Sequence, residues 1–461
     1  MATRRAVLRV VGGIGLLGLG GCSGDDETEP TTDTEPPSDR TTDGDSTPME
    51  TTTETTQQVT LDPIGAEQTA KLVDPDGDMF DMFGSAVAVS RDGTTVVVGA
   101  RQDDDNTGSA SVFERSSGSW SQTAKLQPDD SGAESVFGSV AFGSDVALAD
   151  GGDRAFVSAA PDRGGSVYVF EHSADGWGQV AKIAPPDDMS GLSFGRSIAP
   201  SQDGSRLLVG ASRRNDVEST GVGALFEPSG ETWERTATLD AAGDAPASYF
   251  GSSVALTDDG ETAVVGAPLR DEAGDDAVGR ASVFEHSGRS WSRSRTLAAT
   301  EGTNEGTFGY AVAVGGDASA VLVGAPYGET AHGDRAGVVY AYTGEDFGQE
   351  ARLVTTDGGS TDHFGYALDL TAAGRRALIG AVGHSDPNGG NAGATYAFGR
   401  TENGWGETAK LVAEDGDRGD YFGECVATNA DGDSAVIGAE IDEDPHGDDC
   451  GSAYHFSLDA V

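Results

Sequence analysis

The sequence predicts an all-β protein, a seven-bladed β-propeller of four-stranded blades, and three observations predict it. A Phe-Gly pair recurs seven times, at steps from 52 residues (Gly143 to Gly195) to 59 residues (Gly84 to Gly143). A second glycine follows the first by fifteen residues in six of the seven copies. Each interval holds four short apolar or alternating segments without a helical period. Four-stranded units repeated in this way are typical of propellers.

The repeat signature has two parts. The Phe-Gly part stands at Phe83-Gly84, Phe142-Gly143, Phe194-Gly195, Phe250-Gly251, Phe308-Gly309, Phe364-Gly365 and Phe422-Gly423. The second part, a glycine followed by Ala, stands at Gly99, Gly210, Gly266, Gly324, Gly380 and Gly438. Ser158 takes the glycine place in the second copy, which also has a spare Phe137-Gly138. We take Phe142-Gly143 as the signature pair of the second copy, because only Gly143 lies fifteen residues before Ser158.

The four strands of a unit come in order. The first lies directly after Phe-Gly, and an Asp-Gly turn such as Asp259-Gly260 leads to an apolar second strand. Asp-Gly between apolar runs is a strong hairpin signal, because the turn needs positive φ. The third strand alternates after a glycine. The fourth carries an aromatic residue and then Ala-Lys-Leu or a relative, as in Trp120 to Leu126.

The two ends of the repeat region predict how the ring closes. The last unit ends with its third strand, Gly451 to Phe456, and the first is preceded by an unassigned segment, Gln68 to Leu72, with the fourth-strand pattern. We therefore expect the N-terminal strand to complete the last blade. Closure would remove two open sheet edges.

The N-terminal segment predicts export and anchoring. Residues 1–21 have the basic, apolar and small-residue regions of a signal peptide. Arg4 and Arg5 resemble a twin-arginine export signal, and Leu19-Gly20-Gly21-Cys22 resembles a lipobox that would lipidate Cys22. A short membrane anchor is the alternative, although the apolar stretch is about half the ~20 residues a span needs.

A tether is expected over residues 22–60, before a propeller domain at 61–461. Residues 23–60 hold 13 Thr and 11 acids against one basic residue, Arg40. Such a segment cannot bury enough apolar area to offset its chain entropy. Its Thr and Pro content would also permit O-glycosylation.

The charge excludes one class of partner. The chain has 29 basic and 77 acidic residues, a net charge of −48, and only four lysines. This balance excludes a protein that binds nucleic acid by neutralising phosphates. Abundant acid with almost no lysine instead indicates adaptation to high salt, where the Debye length is roughly 1–2 Å and self-repulsion is screened.

The repeat unit resembles the FG-GAP repeat of integrin alpha-subunit heads, and more closely the FG-GAP-type repeats of secreted bacterial and archaeal proteins, here a haloarchaeal-type lipoprotein. The resemblance covers residues 66–456. It implies a seven-bladed propeller and a binding or adhesion role. Integrin-type repeats often carry a calcium loop before Gly-Ala-Pro, but this chain has a short Asp-Gly turn there, which lacks the oxygens that calcium needs. No cofactor is therefore expected at that turn.

The strand 2–3 loops and the inter-blade loops should share one face, where variable loops on a rigid scaffold often carry function. Acids cluster there, and calcium is the candidate cation. The candidate ligands are Asp103, Asp104, Asp105, Asp442 and Asp444, with a further acidic run at 271–276. The alternative is a salt-adapted acidic surface. Arg213-Arg214 is a rare basic spot that could meet an acidic ligand or pair with nearby acids.

The sequence leaves the state of Cys425 and Cys450 open. Both belong to the last blade, with strand 2 between them, so in a flat sheet their backbones would be ~9–10 Å apart. A disulfide needs about 4.4–6.8 Å between Cα atoms, so the 440–450 loop would have to fold inward. An oxidising location would favour the bond.

Catalytic motifs have little support, so the sequence predicts a protein that is not an enzyme. Gly191 to Gly195 matches G-x-S-x-G, but no strand-to-helix turn is expected there. The histidines, including His172 and His286 at equivalent places, show no zinc spacing. Arg418-Gly419-Asp420 spells an integrin-ligand tripeptide in a Gly-rich acidic loop, where coincidence explains it.

The sequence thus predicts a monomeric, lipid-anchored propeller outside the cytoplasmic membrane, binding a protein or glycan of the envelope through its loops. A hydrolase acting on polysaccharide and a purely structural envelope protein are the alternatives. Convergent, buried carboxylates with shifted pKa values would favour the hydrolase.

Overall fold

The computed structural model describes residues 58–130, 141–160, 164–212, 221–241, 249–268, 279–299, 307–344, 346–385, 387–443, 447 and 449–459, without the side chains of Asp105 and Asp150. Seven four-stranded antiparallel sheets form the seven blades of a ring. The predicted all-β propeller is confirmed. The predicted signal peptide, with Arg4, Arg5 and Cys22, and nearly all of the tether lie outside the described residues.

The strands follow the predicted order, blade by blade. The first three blades are built from β2 (Phe83–Val89), β3 (Thr95–Ala100), β4 (Ser109–Ser116) and β5 (Ser119–Leu126); β6 (Phe142–Ala149), β7 (Arg154–Ala159), β8 (Ser166–Ser173) and β9 (Gly176–Ile183); and β10 (Ser193–Pro200), β11 (Leu207–Ser212), β12 (Val222–Ser229) and β13 (Thr232–Leu239). The next three are built from β14 (Val254–Leu256), β15 (Thr262–Ala267), β16 (Arg280–Ser287) and β17 (Ser290–Leu297); β18 (Val312–Val314), β19 (Ala320–Ala325), β20 (Val338–Thr343) and β21 (Gly348–Leu353); and β22 (Phe364–Leu370), β23 (Arg376–Ala381), β24 (Ala394–Thr401) and β25 (Gly404–Leu411).

The seventh blade takes strands from two distant parts of the chain. It contains β26 (Val426–Thr428), β27 (Ser434–Ala439), β28 (Ser452–Leu458) and β1 (Ala66–Leu72). β1 pairs antiparallel with β28, from Ala66↔Leu458 to Leu72↔Ala453. That pairing is the one expected of the N-terminal segment; its part in holding the ring shut stays a prediction.

Apolar packing lies between the blades. Each of the seven clusters of buried apolar residues in the described chain draws on two consecutive blades. Phe142, for example, joins Val97 and Val112 of the first blade to Val146 and Val157 of the second. The signature phenylalanines are therefore wedges between neighbouring sheets, which is why the unit repeats this large apolar residue.

The glycines of the signature allow backbones of neighbouring blades to approach closely. Gly84 has φ of +88°, and a Cβ on it would lie 2.2 Å from the carbonyl oxygen of Ser452. A Cβ on Gly99 would lie 2.2 Å from the carbonyl oxygen of Gly143 in the next blade. The five other glycines of the second part show the same conflict, at 2.0 to 2.3 Å. Only glycine fits such positions without a shift of the backbone.

The second blade is the exception that the sequence marks. Ser158 takes the glycine place, and it is fully buried. A Cβ built on Gly195 of the next blade would lie 3.3 Å from Ser158 Cβ, a contact that small adjustments relieve. The junction between the second and third blades therefore accepts one more carbon than the others.

The ring has two unlike faces. The loop face carries the strand 2–3 loops and the loops between blades; the turn face carries the strand 1–2 and 3–4 turns. The helices of the described chain are a single α-turn, α1 (Asp103–Asn106), and two 3₁₀ turns, Asp150–Gly152 and Asp187–Met189. None of these helices is long and apolar enough to span a membrane.

Candidate functional site

The first strands of the blades contact one another and surround a central channel. At the turn face, the strand 1–2 turns of all seven blades line a cavity of about 240 Å³. Backbone hydrogen bonds join several of these turns, such as Ala430 N–H to the Arg91 carbonyl at 3.2 Å. Arg91 of the first blade also reaches Asp258 of the fourth, with 2.5 Å between Nη1 and Oδ2. This ion pair crosses the turn end of the channel.

The loop end of the channel is built differently, because the residue after each Phe-Gly lies outside the ladder of the first strand, and in four blades a bulge places it there. In the first blade the register shifts between Phe83 and Ala86, which leaves Ser85 outside the ladder. In the fourth, fifth and seventh blades the ladder of the first strand starts beyond this residue. Bulges commonly re-aim a side chain beside a functional site. The residue after Phe-Gly is half-buried in every blade, whereas the Phe and Gly before it are buried.

We call the ring of these seven residues, with the side chains that contact it, the channel mouth. Its seven members are Ser85, Ser144, Arg196, Ser252, Tyr310, Tyr366 and Glu424. Repeat-equivalent positions thus hold serine, arginine, tyrosine and glutamate. Ligand sites on symmetric scaffolds need such local asymmetry, since one ligand presents different groups to different blades.

Aromatic rings occupy the side of the mouth formed by the fifth and sixth blades. The ring centroids of Tyr310 and Tyr366 are 5.0 Å apart. Tyr327, after Gly-Ala-Pro in the fifth blade, lies 6.1 Å from Tyr310 and 4.9 Å from the ring of His363. The guanidinium carbon of Arg335 lies 6.0 Å from the Tyr327 ring centroid. Three half-buried tyrosines therefore form one continuous patch.

Acidic groups occupy the neighbouring seventh blade. Glu440 is 1% exposed, and its two carboxylate oxygens accept hydrogen bonds from Arg101 Nη2 at 2.6 Å and Nε at 3.0 Å. Burial raises the pKa of Glu424 well above its ordinary value, and the charge of Glu440 raises it further. The carboxyl group of Glu424 is therefore protonated more readily than that of an exposed glutamate.

Three buried polar atoms at the mouth have no hydrogen-bond partner among the described residues. They are Oε2 of Glu424, Nε2 of His363 and Oγ of Ser252. Burial lowers the pKa of His363 to about 4, and the charge of Arg335 contributes, so the imidazole is neutral near pH 7. A buried polar atom without a partner costs about 1–3 kcal/mol. Such atoms mark places where a water or a ligand hydroxyl belongs.

The acids predicted as cation ligands are held by lysines. Lys125 Nζ lies 2.6 Å from Asp103 Oδ2 and 3.0 Å from Asp74 Oδ2. Lys71 Nζ lies 2.9 Å from Asp442 Oδ2, which also accepts a hydrogen bond from the Tyr454 hydroxyl. Within the described ranges, no group of three or more His, Cys, Asp or Glu side chains converges as a metal site would require.

The other acids of that prediction do not complete a site in the described chain. Asp104 accepts a hydrogen bond from the side-chain amide of Gln127. The side chain of Asp105, all of Asp444, the acidic run at 271–276 and the Arg213-Arg214 pair lie outside the described residues.

The ion pairs of Lys125 and Lys71 belong to a larger group of lysine contacts. All four lysines of the chain occupy the same place in the fourth strand, and each one meets acids from its surroundings. Lys410 lies 2.7 Å from Asp357 Oδ2 and 2.7 Å from His384 Nε2. Lys182 pairs with Asp130, whose side chain is 48% exposed. These ion pairs tie the outer strand to the loop face.

Cys425 and Cys450 are not joined by a disulfide in this structure. Cys425 Sγ lies 3.0 Å from the Gly84 carbonyl oxygen, and Cys450 Sγ lies 3.3 Å from that of Asp442. β27 separates the two residues within the sheet. Each thiol is instead turned towards a backbone carbonyl.

Other sequence motifs prove to be structural. Asp420 of the Arg-Gly-Asp tripeptide is 4% exposed, and its Oδ2 accepts a hydrogen bond from Asp417 N–H at 2.6 Å. Ser193 of the G-x-S-x-G match begins β10, where a strand-to-helix turn would be needed. His172 and His286 lie 5.3 Å from Trp177 and Trp291, ring centroid to centroid.

The channel mouth was not predicted from the sequence, because the prediction rested on the invariant parts of the unit and passed over the residue after Phe-Gly. Aligning the seven copies at that position gives Ser, Ser, Arg, Ser, Tyr, Tyr and Glu, a signal that was within reach. The contacts of Glu440, Tyr327 and His363 with the mouth needed the folded chain.

The chain belongs to the FG-GAP repeat family. The family model matches six segments that together cover more than half of the chain, at residues 66–113, 177–226, 233–284, 291–342, 347–398 and 405–456. Each match runs from the fourth strand of one blade to the third strand of the next. The unmatched interval between the first two segments contains the fourth strand of the first blade and the first three strands of the second, where Ser158 replaces the glycine. No curated protein matches the sequence.

The chain is also similar to solved structures at low identity. The β-propeller domain of Myceliophthora thermophila Cps50 (Swd1) is 8% identical, with a TM-score of 0.53 over 85% of this chain and 99% of that one. The periplasmic gluconolactonase PpgL of Pseudomonas aeruginosa is 17% identical, with a TM-score of 0.48 over 72% of this chain and 86% of that one.

Proposed function

We propose that this protein is a binding module of the cell envelope that takes its ligand at the channel mouth. Lipidated Cys22 would hold it on the outer face of the cytoplasmic membrane, and residues 22–60 would carry the propeller away from the surface. Export by a twin-arginine signal predicts that changing Arg4 and Arg5 to lysine retains the chain inside the cell. Changing Cys22 to serine should move the exported chain from the membrane to the soluble fraction.

One observation carries the proposal. Phe, Gly and the Gly-Ala pair are fixed in nearly every blade by contacts between neighbouring sheets, while the residue beside them differs from blade to blade. The fold does not require this variety, because these residues lie outside the ladder of the first strand in every blade. Variation confined to a half-buried ring at one end of a channel is typical of a ligand site.

A hydrolase is the second candidate, since Glu424 is a buried carboxyl group whose pKa is raised, in part by the charge of the neighbouring Glu440. Hydrolysis of a glycosidic bond needs two carboxyl groups that reach the substrate. Glu440 is 1% exposed and both its oxygens are engaged by Arg101. One carboxyl group, that of Glu424, is thus left for a ligand, and this favours binding over catalysis.

The test uses the full chain with Cys22→Ser, mixed with purified envelope material and sedimented at several salt concentrations. We expect saturable co-sedimentation that the double variant Tyr310→Ala/Tyr366→Ala lowers at least tenfold. Asp175→Ala, an exposed residue of a strand 3–4 turn, is the matched control and should bind normally. Equal binding by both variants, or none by the parent chain, would overturn the proposal.

A further inference from the structure

We propose that the channel mouth binds the ring of a neutral sugar, stacked on the tyrosine patch and hydrogen-bonded by Glu424 and His363. This inference rests on the proposed function and names its ligand. Stacking would come from Tyr310, Tyr327 and Tyr366, on one side of the mouth. Hydrogen bonds would come from the carboxyl and imidazole groups that border the patch.

The tyrosine patch has the form that a pyranose needs. The ring centroids of Tyr366 and Tyr327 lie 5.0 and 6.1 Å from that of Tyr310, and their planes are inclined to it by 45° and 70°. A pyranose would therefore stack on one ring, with the other two rings beside it. All three tyrosines are half-buried, so each residue keeps part of its surface accessible. Aromatic side chains combine a large apolar face with a polar tip, and the C–H face of a sugar with its hydroxyl rim complements both.

The polar border supplies what a sugar hydroxyl can use. Glu424 Oε2 and His363 Nε2 have no hydrogen-bond partner among the described residues. The carboxyl group of Glu424 is close enough to influence Tyr366 and Tyr310 electrostatically, and the ring of His363 contacts Tyr327. A hydroxyl group both donates and accepts, so it can satisfy either atom once the side chains around it adjust.

The charges at the mouth disfavour a cationic ligand. Three guanidinium groups reach this end of the channel: Arg101 on Glu440, Arg335 over Tyr327, and Arg196 in the ring itself. A cationic ligand would meet these groups, and the face of Tyr327 is already covered by one of them. Neutral recognition by stacking and hydrogen bonding also survives the salt that a chain of charge −48 indicates, because those contacts are short-ranged.

Calorimetric titration of the full Cys22→Ser chain tests this inference. The probes are glucose, galactose, mannose and N-acetylglucosamine as neutral sugars, glucuronate as an anion, and arginine methyl ester as a cation. We expect at least one neutral sugar to bind, with less than a threefold change between 1 and 4 M salt. Tyr366→Ala should weaken it at least tenfold, whereas Tyr366→Phe should retain it because stacking is kept.

The outcomes separate the two proposals. Preferential binding of arginine methyl ester or glucuronate would overturn the neutral-sugar assignment, as would sugar binding that Tyr366→Ala leaves unchanged. The chain could instead co-sediment with the envelope in a tyrosine-dependent way and bind no sugar. That result would overturn the proposed ligand and would still support the proposed binding module. Unchanged midpoints of denaturant unfolding would show that the tyrosine variants are folded.

Discussion

The two ends of the central channel are made by the same seven repeats and differ in chemistry. At the turn end an arginine side chain joins some neighbouring blades: Arg154 Nη1 donates to the Gly204 carbonyl at 3.0 Å, and Arg206 Nη1 donates to that of Gly260 at 2.5 Å. At the loop end, equivalent positions carry four different residue types. The signature glycines, which lie against the backbone of the neighbouring blade, are kept in nearly every copy. The position after Phe-Gly, which lies outside the ladder, is open to specialisation.

The largest effect should come from removing β1. Deletion of residues 66–73 strips the seventh blade of its fourth strand and exposes the edge of β28, so we expect loss of cooperative unfolding throughout the domain. Denaturant unfolding followed by circular dichroism measures this. A chain that starts at residue 58 is the control and should unfold as the full chain does. Full stability of the deletion would mean that the ring does not depend on this strand.

The next largest effect should come from removing a lysine that pairs with buried acids. Lys125→Met leaves the carboxylates of Asp74 and Asp103, which are 3% and 4% exposed, without their cation. We expect the free energy of unfolding to fall by about 3 kcal/mol. Lys182→Met is the matched control, because its partner Asp130 is 48% exposed and such pairs contribute less than about 1 kcal/mol. Equal losses from both substitutions would show that burial of the acids is not what matters.

A smaller effect should result from adding one carbon at a blade junction. Gly99→Ala puts a Cβ 2.2 Å from the Gly143 carbonyl oxygen, and overpacking of this kind costs about 1–3 kcal/mol. Ser158→Ala changes the equivalent position of the second blade, which already holds a Cβ, and should shift the unfolding free energy by less than about 1 kcal/mol. Sugar binding should be unchanged in both variants. That result would show that the blade junctions determine stability and the channel mouth determines binding.

The smallest effect concerns pH. Asp145, on the first strand of the second blade, accepts a hydrogen bond from Ile198 N–H at 2.8 Å, and burial raises its pKa to about 7 from 3.8. A folded-state pKa above the unfolded value means that the carboxyl contributes stability below about pH 4, which is lost as the pH rises to about 7.

Asp145→Ser should flatten this part of the stability profile, measured as unfolding midpoints from pH 4 to pH 8. The serine hydroxyl can still accept from Ile198, as Ser197 and Ser253 accept from the next blade at 3.1 Å. Asp203→Ser is the contrast, since hydrogen bonds from Ser205 and Ser201 lower the pKa of Asp203. That substitution should cost stability at neutral pH. A profile for Asp145→Ser identical to the parent would contradict the burial of its charge.

The sequence predicted the framework because the framework repeats. Phe-Gly, the Asp-Gly turn and the later Gly-Ala each answer a requirement that recurs at every junction, so seven copies reinforce one another. The pairing of β1 with β28 could be anticipated for the same reason: an unassigned fourth-strand pattern precedes the first unit, and the last unit lacks one.

The sequence could not predict what breaks the repeat. The acids at Asp103 and Asp442 were assigned to a cation because loop position shows charge and does not show partners. Their partners, Lys125 and Lys71, come from fourth strands whose reach to the loop face depends on the fold. The pairing of Arg101 with Glu440 joins the first and last blades across 339 positions of the chain. No local sequence pattern predicts a contact between residues so far apart.

The offset between unit and blade has a consequence for how such rings change size. Each family match begins with the outermost strand of one sheet and ends with the third strand of the next. A unit therefore contains strands from both of the sheets that meet at one blade junction. Duplication of one unit adds a complete junction, and every sheet still has four strands. The number of blades in this architecture can therefore change by whole copies of a gene segment without an intermediate that has an incomplete sheet.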